Sequence, residues 1–134
     1  MAGYSGTPLE RKLGIRPGHT VFLDHAPDAL VLDVPEARVV RRLPATADVT
    51  LTFHTTLAGL AGRLPVLLER TSTAGMVWVC WPKRAAQQAR GIASDLDEGR
   101  VRDLGLRLGF VDVKIAAIDE TWSALKFVRR LADR

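Results

Sequence analysis

Two apolar runs in this chain end on residues that handle protons. "TVFLD" is followed at once by a histidine, so Asp24 and His25 stand side by side, and "VTLTF" is followed by His54. Histidine titrates near neutral pH, and a carboxylate beside it can orient the ring and hold its charge. Asp24, His25 and His54 therefore form a candidate acid/base set. The same residue types suit zinc or iron, but their spacing matches no ligand motif, so no metal is expected. The plainer reading weighs more here: these are the polar residues on which strands leave a core.

A second group has the chemistry to hold an anion. Arg42 follows "RVVR", Thr55 follows His54, and Lys83 and Arg84 close "VCWPKR". Arginine's planar fork matches phosphate and carboxylate, so Arg42, Thr55, Lys83 and Arg84 are the candidate ligand-binding residues. Cys80 lies between Val79 and Trp81, an apolar setting that keeps a thiol protonated and inert. Trp78 and Trp81 read as core. "GYSGTP" follows no strand and lacks the glycine spacing of a phosphate loop.

These residues need elements to position them. In "TPLERKLG", Thr7 caps, Pro8 starts and Gly14 stops a helix of about one turn. Val21, Phe22 and Leu23 make a short strand. "APDALVLD" allows a short helix after Pro27, and Val39, Val40 and Leu43 mark a second strand. Val49, Leu51 and Phe53 alternate with Thr50, Thr52 and His54 in a third. Leu57, Leu60, Leu64, Leu67 and Leu68 follow helical spacing, with a break expected near Leu64 because Pro65 excludes a carbonyl. From Gly75 to Trp81 both parities are apolar, the pattern of a central strand covered on both faces. "RAAQQARGIAS" reads as a loop with some helix. Asp95 and Glu98 cap a helix carrying Val101, Leu104 and Leu108, which Gly109 ends. "FVDVKIAAID" and "SALKFVRR" are closing strands joined by "ETW", a spacing that permits an antiparallel hairpin.

The alternation predicts an α/β fold, a three-layer Rossmann-like sandwich. Its mixed sheet has a parallel centre and an antiparallel C-terminal hairpin at one edge. All 134 residues are expected in one domain, with a tail over residues 1–7. Hydrophobic residues make up 47% and charged residues 25%, a globular composition. No apolar run reaches membrane-spanning length and the N-terminus lacks a signal-peptide core, so the chain reads as cytoplasmic. The net charge of +4 is spread among acids, which gives nucleic-acid binding little support.

Three stretches, "GYSGTPLERKLGI", "GMVWVCWPK" and "VDVKIAAIDETWSALKFVRR", resemble a small bacterial family known only by a number in the unknown-function series. That resemblance brings no activity, substrate or site residue with it. More loosely, Leu57–Leu68, Ala74-Gly75, Met76–Trp81, Leu96–Leu108 and Val111–Arg130 resemble the later part of a class I methyltransferase fold, so the topology reads as a reduced methyltransferase-like one. The fold implies a glycine-rich turn after the first strand and an acid after the second, both serving adenosylmethionine. Here the turn is "LDHAPDAL", without glycine, and the second strand ends in Arg41 and Arg42. No cofactor is therefore expected.

Two functional readings follow. In the first, the chain is a non-catalytic or degenerate Rossmann-like domain that binds an anionic small molecule or a protein partner. In the second, it is a small enzyme, of transferase type, with its site at the carboxyl ends of the strands. The missing glycine turn tips the balance away from catalysis. A homodimer is also expected through the C-terminal edge, where Trp122, Leu125 and Phe127 lie beside Lys126 and Arg129.

Overall fold

Alternating parity decides the two faces of the sheet. Along β3 (Ala47–Phe53), Val49, Leu51 and Phe53 turn one way and Thr50 and Thr52 the other. In β4 (Thr71–Pro82), Met76, Trp78 and Cys80 share the first face, while Val77, Val79 and Trp81 share the second. The computed structural model describes residues 8–134. In it these strands join β1 (Thr20–Asp24), β2 (Arg38–Val40), β5 (Phe110–Ala117) and β6 (Trp122–Arg129) in the order β2-β1-β3-β4-β6-β5. The first four are parallel, and β6 is antiparallel to both of its neighbours. The α/β fold read from the sequence is the one found, with β4 inside the sheet and the hairpin at one edge.

Two helices cover the second face. α2 (Leu57–Glu69) buries Leu60, Leu64, Leu67 and Leu68, and α4 (Glu98–Arg107) buries Val101 and Leu104, all but Leu67 in one cluster with Val77, Val79, Leu125 and Phe127. α4 lies so close to β6 that a Cβ on Gly105 would overlap the Phe127 ring. The helix expected to break near Leu64 runs on through Pro65. Pro65 is exposed while Leu64, Leu67 and Leu68 are buried, so packing offsets the one backbone bond that the proline cannot make. A bulge explains why β4 starts four residues before Gly75. Its register with β3 shifts between Ala47 and Val49, and a Cβ on Gly75 would stand 2.8 Å from the Asp48 carbonyl.

On the first face lie α1 (Leu9–Lys12) and an irregular strap, not a helix layer. Pro8 precedes α1 as its cap position; Thr7 and the "GYSGTP" tail up to it fall outside the described residues. The short helix expected after Pro27 is a single turn, Leu30 N–H to Pro27 carbonyl at 3.0 Å, followed by extended chain. The reason lies in the spacing: Leu30, Leu32 and Val34 recur every second residue, and all three pack on the core from the same side. "RAAQQAR" forms α3 (Arg84–Arg90), stopped by Gly91 at φ 67°. The cap of α4 is Asp97, which accepts from Arg100 N–H at 2.8 Å. Asp95 instead accepts from Leu57 N–H at 2.7 Å, tying down the start of α2.

The C-terminal edge differs from expectation in one respect. The outer strand is β5, and β6 is bonded on both sides. Leu125 and Phe127 are 1% and 0% exposed, because they face α2 and α4, so neither reaches a surface where a second copy could dock. Trp122 stands edge-on to Phe53, ring centroids 5.1 Å apart, and caps the first-face core. No helix among the described residues is long and apolar enough to cross a membrane.

Candidate functional site

β2 lies on one side of β1 and β3 on the other, so the sheet reverses its winding between β1 and β3. Ligands of open α/β sheets collect outside the carboxyl ends at such a switch point. Asp24 ends β1 there, Thr52 pairs with it near the end of β3, and His54 follows that strand directly. Even positions of β3 face α2, which is why Thr52 and His54 share the side on which α2 lays Arg63.

Asp24 is buried, 3% exposed, and accepts three hydrogen bonds. Arg63 donates from Nε to Oδ2 at 3.0 Å and from a terminal nitrogen to Oδ1 at 2.8 Å. The Thr52 hydroxyl donates to Oδ2 at 2.7 Å. Burial raises the carboxyl's pKa, but the bonds from Arg63 and Thr52, with the charges of Arg63 and His25, outweigh it, so Asp24 titrates below the usual carboxylate range. It is a fixed anion at neutral pH.

His54 completes a chain of three. Its Nε2 lies 2.6 Å from Thr52 Oγ1. The hydroxyl has one proton, already given to Asp24, so it must accept from an Nε2–H. This assigns the tautomer and leaves the Nδ1 lone pair free. Nδ1 has no protein partner among the described residues, and no buried side-chain nitrogen or oxygen there lacks one, so Nδ1 opens to solvent. It lies beside the first turn of α2, 3.9 Å from where a Cβ on Gly59 would stand. Burial pushes the imidazole down to about 4, against the pull of Asp24 and helped by His25 and Arg63. The ring is neutral at pH 7.

His25 is the third candidate from the sequence. It sits at φ 55°, a left-handed conformation uncommon for a residue with a side chain, and 61% of its side chain is exposed. Its ring meets His54 edge-on with centroids 5.6 Å apart, and its Nε2 is 3.8 Å from Asp24 Oδ1. Local strain of this kind concentrates at functional sites.

The structure thus brings Asp24, His25 and His54 together and adds Thr52 and Arg63, which sequence reasoning missed. Thr52 carried a signal, since it shares parity with His54. Arg63 flanks the stripe of Leu60 and Leu64 and looks like any solvated helix residue until the buried carboxylate calls for a cation. The anion group does not form one cluster. Arg42 is exposed beyond β2, three strands from β4, or about 14 Å at the usual strand spacing. Thr55 offers its carbonyl to Ser94 Oγ at 2.7 Å. Lys83 starts α3 with its N–H on the Thr121 carbonyl. Arg84 lines a cleft of about 210 Å³ with Trp81, Ser94, Asp97 and Arg100. Cys80 is buried and its thiol is pushed well up by burial, as expected of an inert core cysteine. No group of three His, Cys, Asp or Glu among the described residues is placed to hold a metal.

No family model and no curated protein matches the chain, so the resemblance to the numbered family of unknown function finds no support. Solved structures do match. Magnesium protoporphyrin IX methyltransferase (ChlM) from Synechocystis PCC 6803, with bound SAH, superposes over 85% of this chain and 75% of its own, at 11% identity and TM-score 0.60. The pyocyanin biosynthetic protein PhzM covers 91% of this chain and 53% of its own, at 13% identity and TM-score 0.63. An O-methyltransferase (NcsB1) from neocarzinostatin biosynthesis, in complex with S-adenosylmethionine, covers 72% and 34%, at 15% identity and TM-score 0.54. This chain spans about a third to three quarters of their lengths. The balance drawn from the sequence against catalysis is overturned here, because the fold is shared with proteins named as methyltransferases. By fold, the chain is a reduced, class I methyltransferase-like α/β domain.

Proposed function

We propose that the chain is a small enzyme of transferase type, working at the carboxyl ends of β1 and β3 on a small anionic molecule. One observation carries this: the hydrogen-bonded chain Asp24–Thr52–His54 leaves a neutral imidazole with its Nδ1 lone pair open to solvent. In the proposed step, a bound hydroxyl or amine attacks the group carried by an activated donor such as an acyl carrier. His54 Nδ1 accepts its proton as the new bond forms, and the bond from the group to the donor's leaving atom breaks with its electron pair. Thr52 and Asp24 hold the ring in the needed tautomer, and Arg63 keeps Asp24 ionised. With a pKa of about 4 the imidazolium passes its proton on to water at once, so His54 serves as a relay rather than a store. His25 and the cations along the carboxyl edge would orient the anionic part.

Adenosylmethionine does not fit as the donor. From His25 to Ala37 the chain has no glycine and forms no helix, so the backbone offers no close approach after β1. Both Asp24 oxygens already accept bonds from Arg63, Oδ2 a second from Thr52, and the carboxylate is buried. After β2, Arg41 donates to the Leu30 carbonyl at 2.7 Å and Arg42 follows, with no acid for a ribose.

The test is a thermal-shift screen of nucleotides, acyl carriers and phosphorylated metabolites. Mass-detected turnover of the stabilising pairs follows, with wild type and His54→Gln. A product formed by wild type and lost at least about tenfold in the variant, with ligand shift retained, supports the reading. Turnover unchanged by His54→Gln, or no ligand at all, ends it.

A further inference from the structure

The chain holds fifteen arginines but only four lysines: Lys12, Lys83, Lys114 and Lys126. Lys126 is set apart by its surroundings. It sits in mid-β6, paired on one side with β4 and flanked on the other by the bulge of β5 between Asp112 and Ile115. Its registered partner is Trp78, and its Nζ lies 5.9 Å from that ring's centroid. On the same face are Met76 and the exit of α1, where a Cβ on Gly14 would stand 4.0 Å from Nζ. The amine is half-buried on an apolar shelf, and it forms no ion pair with a carboxylate among the described residues.

We propose that Lys126 is a covalent modification site, the lysine of this chain that soluble acylating metabolites, acyl phosphates or acyl thioesters, acylate first. An ammonium deprived of water and lacking a counter-ion gives up its proton more readily, and the free amine is the nucleophile. Among the described residues, Lys114 of β5 is the charged group that acts on it; β4 contributes Met76 and Trp78, and the turn after α1 contributes Gly14. Burial first, and Lys114 second, lower the amine's pKa. The Trp78 face works the other way, favouring the cation, but 5.9 Å is at the outer limit of that interaction and burial prevails. In the step, the Nζ lone pair attacks the acyl carbon and an N–C bond forms. The bond from carbon to phosphate oxygen, or to thiolate sulfur, breaks with its electron pair. The amine proton goes to solvent, leaving a neutral amide.

The probe is acetyl phosphate at limiting dose on the folded protein. Acetylation of each lysine is read by peptide mass spectrometry and normalised to urea-unfolded protein. At about pH 7.5 Lys126 should lead Lys12, Lys83 and Lys114 by about threefold or more, and the lead should shrink by about pH 11, where an easier loss of the proton no longer confers an advantage. Lys126 equal to or slower than the others overturns the proposal. So does a lead that is the same at both pH values, which would reflect access alone.

Discussion

Arg63 closes on Asp24 with two parallel bonds, from Nε to Oδ2 at 3.0 Å and from a terminal nitrogen to Oδ1 at 2.8 Å, across 39 positions of sequence. The pair fastens α2 to the end of β1 and spans the switch point of the sheet. A buried carboxylate stripped of its cation is strongly destabilising, whereas removing both charges is not. Arg63→Met should therefore lose about 2–4 kcal/mol in urea unfolding, the lower figure allowing for the 29% exposure of the arginine. The double variant Asp24→Asn with Arg63→Met should be more stable than Arg63→Met alone. A single variant as stable as wild type would refute the buried-pair account.

Acid should unfold this protein in two overlapping stages. The His54 pKa is depressed in the fold, so its contribution is complete above the unfolded value of 6.5 and is lost as pH falls toward about 4. The Asp24 pKa is also depressed, so its contribution is complete above the ordinary carboxylate range and is lost as pH falls below it. Both act in one direction, and stability falls with pH from about 6.5 downward. Melting temperature measured between about pH 7.5 and 4.5 should decline in wild type and be markedly flatter in His54→Gln. Parallel curves for the two proteins would contradict the buried neutral imidazole.

The fold is legible in the sequence wherever one strong period dominates. Val49, Leu51 and Phe53 mark β3, and the two apolar faces of Met76–Trp81 place β4 inside the sheet, because burial on both sides leaves no room for polar alternation. The strap at 30–34 reads as a helix because Pro27 is a good helix start. The two-residue spacing of Leu30, Leu32 and Val34 is the stronger signal. The site is half legible. Asp24, His25 and His54 stand at strand ends, and strand ends can be read locally. Arg63 cannot be read so, since its role depends on how α2 lies across β1 and β3, a tertiary fact. The sheet edge escapes sequence reading for the same reason. Both hairpin strands look alike in sequence, and only the sheet order makes β6 the inner one.

Trp122 offers a direct check on that correction. Its ring packs edge-on to Phe53 with an interplanar angle of 87°. Trp122→Ala should lower stability by about 2–4 kcal/mol, the usual effect of truncating a partly buried tryptophan. It should leave the sedimentation coefficient unchanged, because the residue serves its own core. A variant that keeps full stability but dissociates a wild-type dimer would restore the role in self-association read from the sequence.

Neither adenosylmethionine nor its demethylated product should bind usefully, despite the fold. A micromolar ligand needs about −8 kcal/mol, which a polar cofactor draws from close backbone approach and unoccupied polar partners. At the end of β1 the chain supplies His25 at φ 55° in place of a glycine turn, and both oxygens of the buried Asp24 already accept bonds from Arg63, Oδ2 a further one from Thr52. Opening that buried carboxylate would mean breaking its Arg63 bonds, so binding would have to overcome the unpairing as well. Titration calorimetry at about millimolar ligand should show no saturable heat for wild type. A micromolar dissociation constant would falsify the view that this chain has closed its fold's usual cofactor place with its own residues.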